Sequence, residues 1–181
     1  MRLKKLIRSL KQENRLPYLV TDLVNIRYLT GFAGSYAYLL VGDGRSYFIS
    51  DARYEEYARS ILPKAVEFVL QKTDFLDSLN HILKKDGARE LFIEEHSTPL
   101  SVYRNMQRTL KKVRLSPGGD EVNMVRMLKD EDEIGILRQA ARITDACIDH
   151  LKKIIRPGDG EWDIAVRSEE HTSELQSRQS I

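Results

Sequence analysis

The groups that could bind a metal or act on a substrate are few in this 181-residue chain: four histidines, one cysteine and 27 acidic side chains. One thiol, Cys147, cannot form an internal disulfide or build a cysteine-rich zinc site, which points to a reducing, cytoplasmic setting. His96 follows Glu94 and Glu95 at the end of an apolar run. Such a Glu-Glu-His cluster can in principle ligate a cation, but a solvated strand terminus is the preferred reading. His81 lies in an amphipathic segment, where an exposed or hydrogen-bonded imidazole is expected. His150 falls near the end of a long helical pattern, where imidazolium complements the helix dipole. Asp130-Glu-Asp-Glu133 places four carboxylates at a helix start and reads as a capped, solvated first turn. No Ser/His/Asp spacing and no Gly-rich phosphate loop is present. The sequence therefore predicts neither catalytic nor metal-ligating residues within this chain.

The elements that would position any site follow from periodicity. Leu3, Leu6, Ile7 and Leu10 make one face of a helix that ends before Pro17, and Tyr18-Leu-Val20 reads as a buried strand. Asp22 can cap a short helix that Gly31 stops. Residues 36–41 and 45–49 flank Gly42-Asp43-Gly44 and predict a hairpin. Helical spacing through Ile61, a strand over 65–70, and a helix capped by Asp74 and ended by Gly87 come next. A strand at 90–94 then leads to a helix with Thr98 as N-cap and Pro99 at its first position, and a strand over 112–116 follows. Strands alternating with helices, plus one hairpin, predict an α/β fold with a mixed sheet. Pro117-Gly118-Gly119 predicts a boundary, so 1–117 is expected as one domain and 118–130 as a linker. Over 131–167, Ile134, Leu137, Ala141, Thr144, Ile148, Leu151 and Ile155 form one narrow apolar face closed by Pro157-Gly158, and a further helix starts near Glu161. Two helices cannot bury a core of their own. They read as the opening of a larger domain, with the face along Ile134–Ile155 left exposed.

Composition adds exclusions. Twenty-nine Lys and Arg against 27 Asp and Glu give a net charge of +2, with the signs interspersed, so no nucleic-acid partner is indicated. No apolar run approaches the ~20 residues of a membrane span, and no signal-peptide pattern opens the chain. From Ser168 onward only Leu175 and Ile181 are aliphatic. Arg167-Ser-Glu-Glu-His-Thr-Ser-Glu-Leu-Gln-Ser resembles a translated sequencing-library adapter, and 168–181 is expected to be a non-native tail interrupting the last helix.

Three stretches carry a family resemblance. Asn25-Ile-Arg-Tyr-Leu-Thr-Gly-Phe-Ala-Gly-Ser35 resembles the N-x-x-Y-L-T-G-F-x-G-S segment of the Xaa-Pro peptidase and creatinase N-terminal domain. Ser50-Asp-Ala-Arg-Tyr54 is similar to that family's T-D-G-R-Y motif, with Ala52 in place of glycine. Met127-Leu-Lys-Asp-Glu-Asp-Glu-Ile134 and Leu137-Arg-Gln-Ala-Ala141 resemble its passage into the catalytic domain. If the Ala52 position needs a positive φ, alanine would strain the turn.

The resemblance implies a creatinase-type N-terminal domain followed by the first helix or two of a "pita-bread" metallopeptidase domain. It implies a parent that hydrolyses the bond preceding proline in peptides, as aminopeptidase or dipeptidase, with two divalent ions (Mn, Co or Zn). Those ions would be held by residues downstream of this chain, which by itself would bind none and be inactive. A cytoplasmic homodimer is implied as well. Arg53 is the one substrate-binding residue carried over, since the matching arginine contributes to substrate binding in relatives; an ion pair with Asp51, Glu55 or Glu56 is the alternative for it. Tyr54 is expected to pack under the sheet, and Asn25, Tyr28, Gly31 and Gly34 to serve cap and turn chemistry. Alternatives for the whole are a non-catalytic peptide- or protein-binding relative, a stand-alone interaction domain, and creatinase-type chemistry.

Overall fold

The computed structural model describes residues 2–179, which form two compact units divided between Leu128 and Lys129. In the first, the order is α1 (Arg2–Gln12), β1 (Tyr18–Val20), α2 (Leu23–Thr30), β2 (Tyr38–Val41), β3 (Ser46–Ser50), a 3-10 turn (Ala52–Tyr54), α3 (Glu55–Ile61), β4 (Val66–Leu70), α4 (Phe75–Lys85), β5 (Glu90–Ile93), α5 (Leu100–Thr109), β6 (Arg114–Pro117) and α6 (Glu121–Met127). The strands make one mixed six-stranded sheet ordered β4-β3-β2-β1-β5-β6. β2 runs antiparallel to both its neighbours, while the β1–β5, β5–β6 and β3–β4 pairs are parallel. Five strands therefore point the same way, and their carboxyl ends share one edge with the start of β2.

Period-two alternation divides the core. Tyr18, Val20, Leu39, Val41, Phe48 and Phe68 face one layer with Leu3, Leu6, Leu10, Ile26, Ala58 and Val122 from α1, α2, α3 and α6. Leu19, Leu40, Tyr47, Ile49, Leu91 and Ile93 face the other with Leu79, Leu83 and Met106 from α4 and α5. A one-residue slip would exchange these faces, so burial fixes the register, as in Tyr18 opposite Val41.

Most local signals form as the sequence predicts. The Asp22 side chain accepts from Val24 N, and Gly31 ends α2 in the left-handed region at φ 84°. Asp74 caps α4 through Asp77 N. Thr98 departs from its expected part. Its hydroxyl donates to the Glu94 carbonyl at 2.7 Å and lies 3.1 Å from Thr21 Oγ1, and α5 starts at Leu100 without a side-chain cap. A local bond back to the end of β5 and a tertiary contact with Thr21 have taken the group that sequence assigns to capping. Ala52 lies in the 3-10 turn, and Asn14 is the one non-glycine residue with positive φ among those described, so alanine at this turn is unstrained.

Residues 118–128 pack back onto the first unit. Gly118 donates its N–H to the Ile93 carbonyl at 2.8 Å, and a Cβ there would come within 2.3 Å of the buried Tyr18 ring. Glu121 accepts from Ser9 Oγ and Arg15 Nη1, each at 2.9 Å, and Val122 is buried. The Pro-Gly-Gly sequence thus makes a close-approach turn, and the segment expected as a linker holds α6.

The second unit pairs α7 (Glu131–Ile154) with α8 (Glu161–Gln179). Asp130 and Glu133 form a reciprocal capping box. Cys147 is buried with its thiol 3.4 Å from the Ser168 carbonyl. Leu137, Ile148, Ile155 and Trp162 are exposed. Helix α8 passes through Ser168 without interruption, contrary to expectation. The stretch contains neither proline nor glycine, and a helical backbone needs no apolar stripe to continue.

Candidate functional site

The common carboxyl edge of an open α/β sheet is where ligands are usually met. Here the loop before β2 and the turn after β3 bring the two motif stretches together. Phe32, buried, meets Phe48 edge-on at 4.9 Å and Tyr54 at 5.2 Å between ring centroids. Tyr54 lies across this cluster, and its hydroxyl accepts from Ser35 N at 3.2 Å and hydrogen-bonds Ser35 Oγ at 2.8 Å. Gly34 allows the crossing: a Cβ there would lie 2.3 Å from Phe32 Cζ and 2.8 Å from Tyr54 Cε1. Ser50 Oγ donates to the Tyr36 carbonyl at 2.7 Å, and Tyr36 Oη donates to Gln71 Oε1 at 2.6 Å. The hydrogen bonds of Ser35 hold the Tyr54 phenol below its ordinary pKa, whereas burial raises Tyr36 and, to about 12, Tyr38.

Arg53 projects from this framework. Its side chain is 70% exposed and that of Asp51 only 24%. Asp51 Oδ1 accepts from the Arg53 backbone N–H at 3.0 Å and from Nε at 3.1 Å, and Oδ2 accepts from Nη2 at 2.7 Å. This pairing holds the Asp51 carboxyl below 3.8 and raises the guanidinium further. The guanidinium carbon lies 5.4 Å from the Tyr54 ring centroid. The ion pair expected as the alternative for Arg53 is thus present with Asp51, while Glu55 pairs with Arg59. The pair leaves Nη1 without a hydrogen bond among the described residues, so the arrangement can donate to a carbonyl or carboxylate brought to this edge.

Sequence reasoning missed a second assembly. Asn25, 1% exposed, donates from Nδ2 to Glu94 Oε1 and accepts from Arg126 Nη1 at 2.8 Å. Glu94 also accepts from the N–H groups of Thr21 and Asp22, each at 2.9 Å. The asparagine therefore links β5, the start of α2 and α6, beyond the local turn role expected of it. Only a polar residue inside an apolar helical face signalled this, and the partners lie 69 and 101 residues away.

Metal ligation finds no support in this network. Glu94 is committed to three N–H donors, and His96 Nε2 lies 3.8 Å from the exposed Glu95. Among the described residues no three His, Cys, Asp or Glu converge on a common point, and no buried side-chain N or O lacks a partner. His81 is exposed on α4. A cleft of about 450 Å³ opens at the opposite edge, between the β2–β3 hairpin and the end of α4, remote from Arg53.

Residues 2–128 match the Creatinase/Prolidase N-terminal domain, and the chain belongs to that family. It is 30% identical over 169 residues to a Bacillus subtilis protein described as the uncharacterized peptidase YqhT, covering 93% of this chain and 47% of that one. Among solved structures it is similar to an Xaa-Pro dipeptidase from Bacillus anthracis, with 27% identity, a TM-score of 0.83, and coverage of 96% of this chain and 48% of that chain. It also resembles an Xaa-Pro aminopeptidase from Streptococcus pyogenes at 28% identity and a TM-score of 0.64, covering 68% of this chain and 94% of that one. The chain spans about half the length of the curated relative it matches. No described helix is long and apolar enough to cross a membrane.

Proposed function

We propose that this chain is the N-terminal part of a metal-dependent Xaa-Pro peptidase that hydrolyses the bond preceding proline, acting as a cytoplasmic homodimer. The two divalent ions, Mn, Co or Zn, would be held outside these 181 residues and would supply a hydroxide nucleophile and polarise the carbonyl. The contribution of this chain is to present Arg53 to a proline-containing peptide. The domain order that goes with this reading is 1–117 as the N-terminal domain, 118–130 as linker, 131–167 as opening helices of the catalytic domain and 168–181 as a foreign tail. The observation that carries the proposal is the meeting of the two motif stretches at Tyr54 and Ser35, on a sheet edge from which Arg53 projects.

An independent read of the source DNA across the codon for Val166 tests it. The expected frame continues into carboxylate and histidine metal ligands, and its product cleaves an Xaa-Pro peptide in manganese buffer, whereas the 181-residue chain does not. Return of the same string and a stop codon from unamplified template would overturn it. A stand-alone interaction domain would then be favoured, consistent with the apolar side chains exposed on α7, Leu137 and Ile148.

A further inference from the structure

The amino edge of the sheet, opposite the edge that carries Arg53, holds a second cleft of about 400 Å³. It opens where α4 leads into β5 and where α5 leads into β6. Leu83 and Val113 give it apolar walls, and Lys84, Arg89, Lys111 and Lys112 line it as well. No carboxylate is among the described lining residues. All four cations are exposed, and none of their side chains has a hydrogen bond or ion pair among the described residues. Arg15, Arg45, Arg59 and Arg114, by contrast, each meet a carboxylate.

Folding creates this concentration. Residues 84–89 hold three cations and one carboxylate, and residues 108–114 hold four cations and none, a net of +6 in a chain whose total is +2. Helix dipoles account for a small part of it. Helices α4 and α5 both end here, and two C-termini at roughly half a negative charge each offset about one of the four lining charges. Asp86 lines the adjoining cleft, where it accepts from Tyr47 Oη at 3.2 Å, and Glu90 pairs with Arg114. The excess of about three positive charges sits in a concavity of small-molecule size, whereas a nucleic-acid face would extend along an element. A chain of two or three phosphates carries roughly that charge with opposite sign. Arg89 offers phosphate a planar fork, and the lysines offer point charges.

We propose that this cleft binds a short phosphate chain, a di- or triphosphate either free or at the end of a nucleotide, through Lys84, Arg89, Lys111 and Lys112. The site lies away from Arg53 and requires neither metal ions nor a peptide, so it stands or falls apart from the peptidase reading.

The test follows backbone amide resonances of the 181-residue chain by NMR, in metal-free buffer at about 0.05 M salt. Tripolyphosphate should shift amides of 84–89 and 108–114 with a Kd at or below about 1 mM, and inorganic phosphate should bind about tenfold or more weakly. Lys111→Gln with Lys112→Gln removes two exposed charges and breaks no bond, and should weaken tripolyphosphate about tenfold. Arg89→Lys keeps the charge, loses the fork and should weaken it about threefold. Lys4→Gln with Lys5→Gln removes equal charge from α1, on the other face of the sheet, and should leave the Kd within about twofold. An equal Kd for ATP identifies the phosphate chain as the whole ligand, and a lower one identifies a nucleotide. Equal weakening in the two double variants, or no shift in these segments up to about 5 mM, overturns the site. Tighter binding of an oligoglutamate peptide also overturns it, since the cleft would then be a contact for an acidic protein.

Discussion

Replacing Asn25 by alanine removes one donor and one acceptor from a buried site without touching the surface. The lost bonds run to Glu94 Oε1 and from Arg126 Nη1, both charged partners. A hydrogen bond to a charged group contributes about 1.5–3 kcal/mol, and a buried charge left short of a partner cannot recover it from solvent. Glu94 keeps the N–H groups of Thr21 and Asp22, and Arg126 keeps Asn123 Oδ1 at 3.0 Å, which moderates the loss. The expected destabilisation is about 2–4 kcal/mol. For a unit of this size that corresponds to a melting temperature roughly 6–15 °C lower. Urea titration followed by far-ultraviolet circular dichroism measures the loss, and amide hydrogen exchange locates it. Because Asn25 ties α6 to α2 and to the end of β5, amides of Glu121–Met127 should lose protection before those of β1 or β3. A loss below about 0.5 kcal/mol would refute the bridging role, as would uniform loosening with α6 still protected.

Three other outcomes follow from the same geometry. Gly34→Ala forces a methyl against Phe32 and Tyr54, neither of which is the free end of a flexible chain; a stability loss of about 1–3 kcal/mol is expected in urea titration. Ser35→Ala removes the first cause of the lowered Tyr54 pKa, so phenolate absorbance should titrate at higher pH, nearer 10. The sign is fixed, since the Ser35 Oγ bond favours the ionised form and its loss favours the phenol, while the Ser35 backbone N–H bond remains. Asp130→Ala breaks the capping box of α7 and should cost about 0.5–2 kcal/mol of helix stability, seen as reduced ellipticity and faster exchange over the first turn.

The order of elements through β6, the hairpin and the Asp22, Asp74 and Asp130 caps could all be read from the chain. Each rests on groups within a few residues of one another, where propensity and periodicity act directly. The family motifs were legible too. Tertiary structure decided what those motif residues do. Asn25 became a bridge between segments far apart in the chain, Thr98 turned its hydroxyl toward Thr21 and away from the cap, and Gly118 made room for Tyr18. Gly34 and Tyr54 proved to belong to one contact. The physical reason is common to all of them. A buried polar group must find a partner, and a close-packed ring must find space, wherever in the chain these lie. Sequence spacing records only neighbours, so it determined the helices and strands, while the crossing of two loops decided which way Arg53 points.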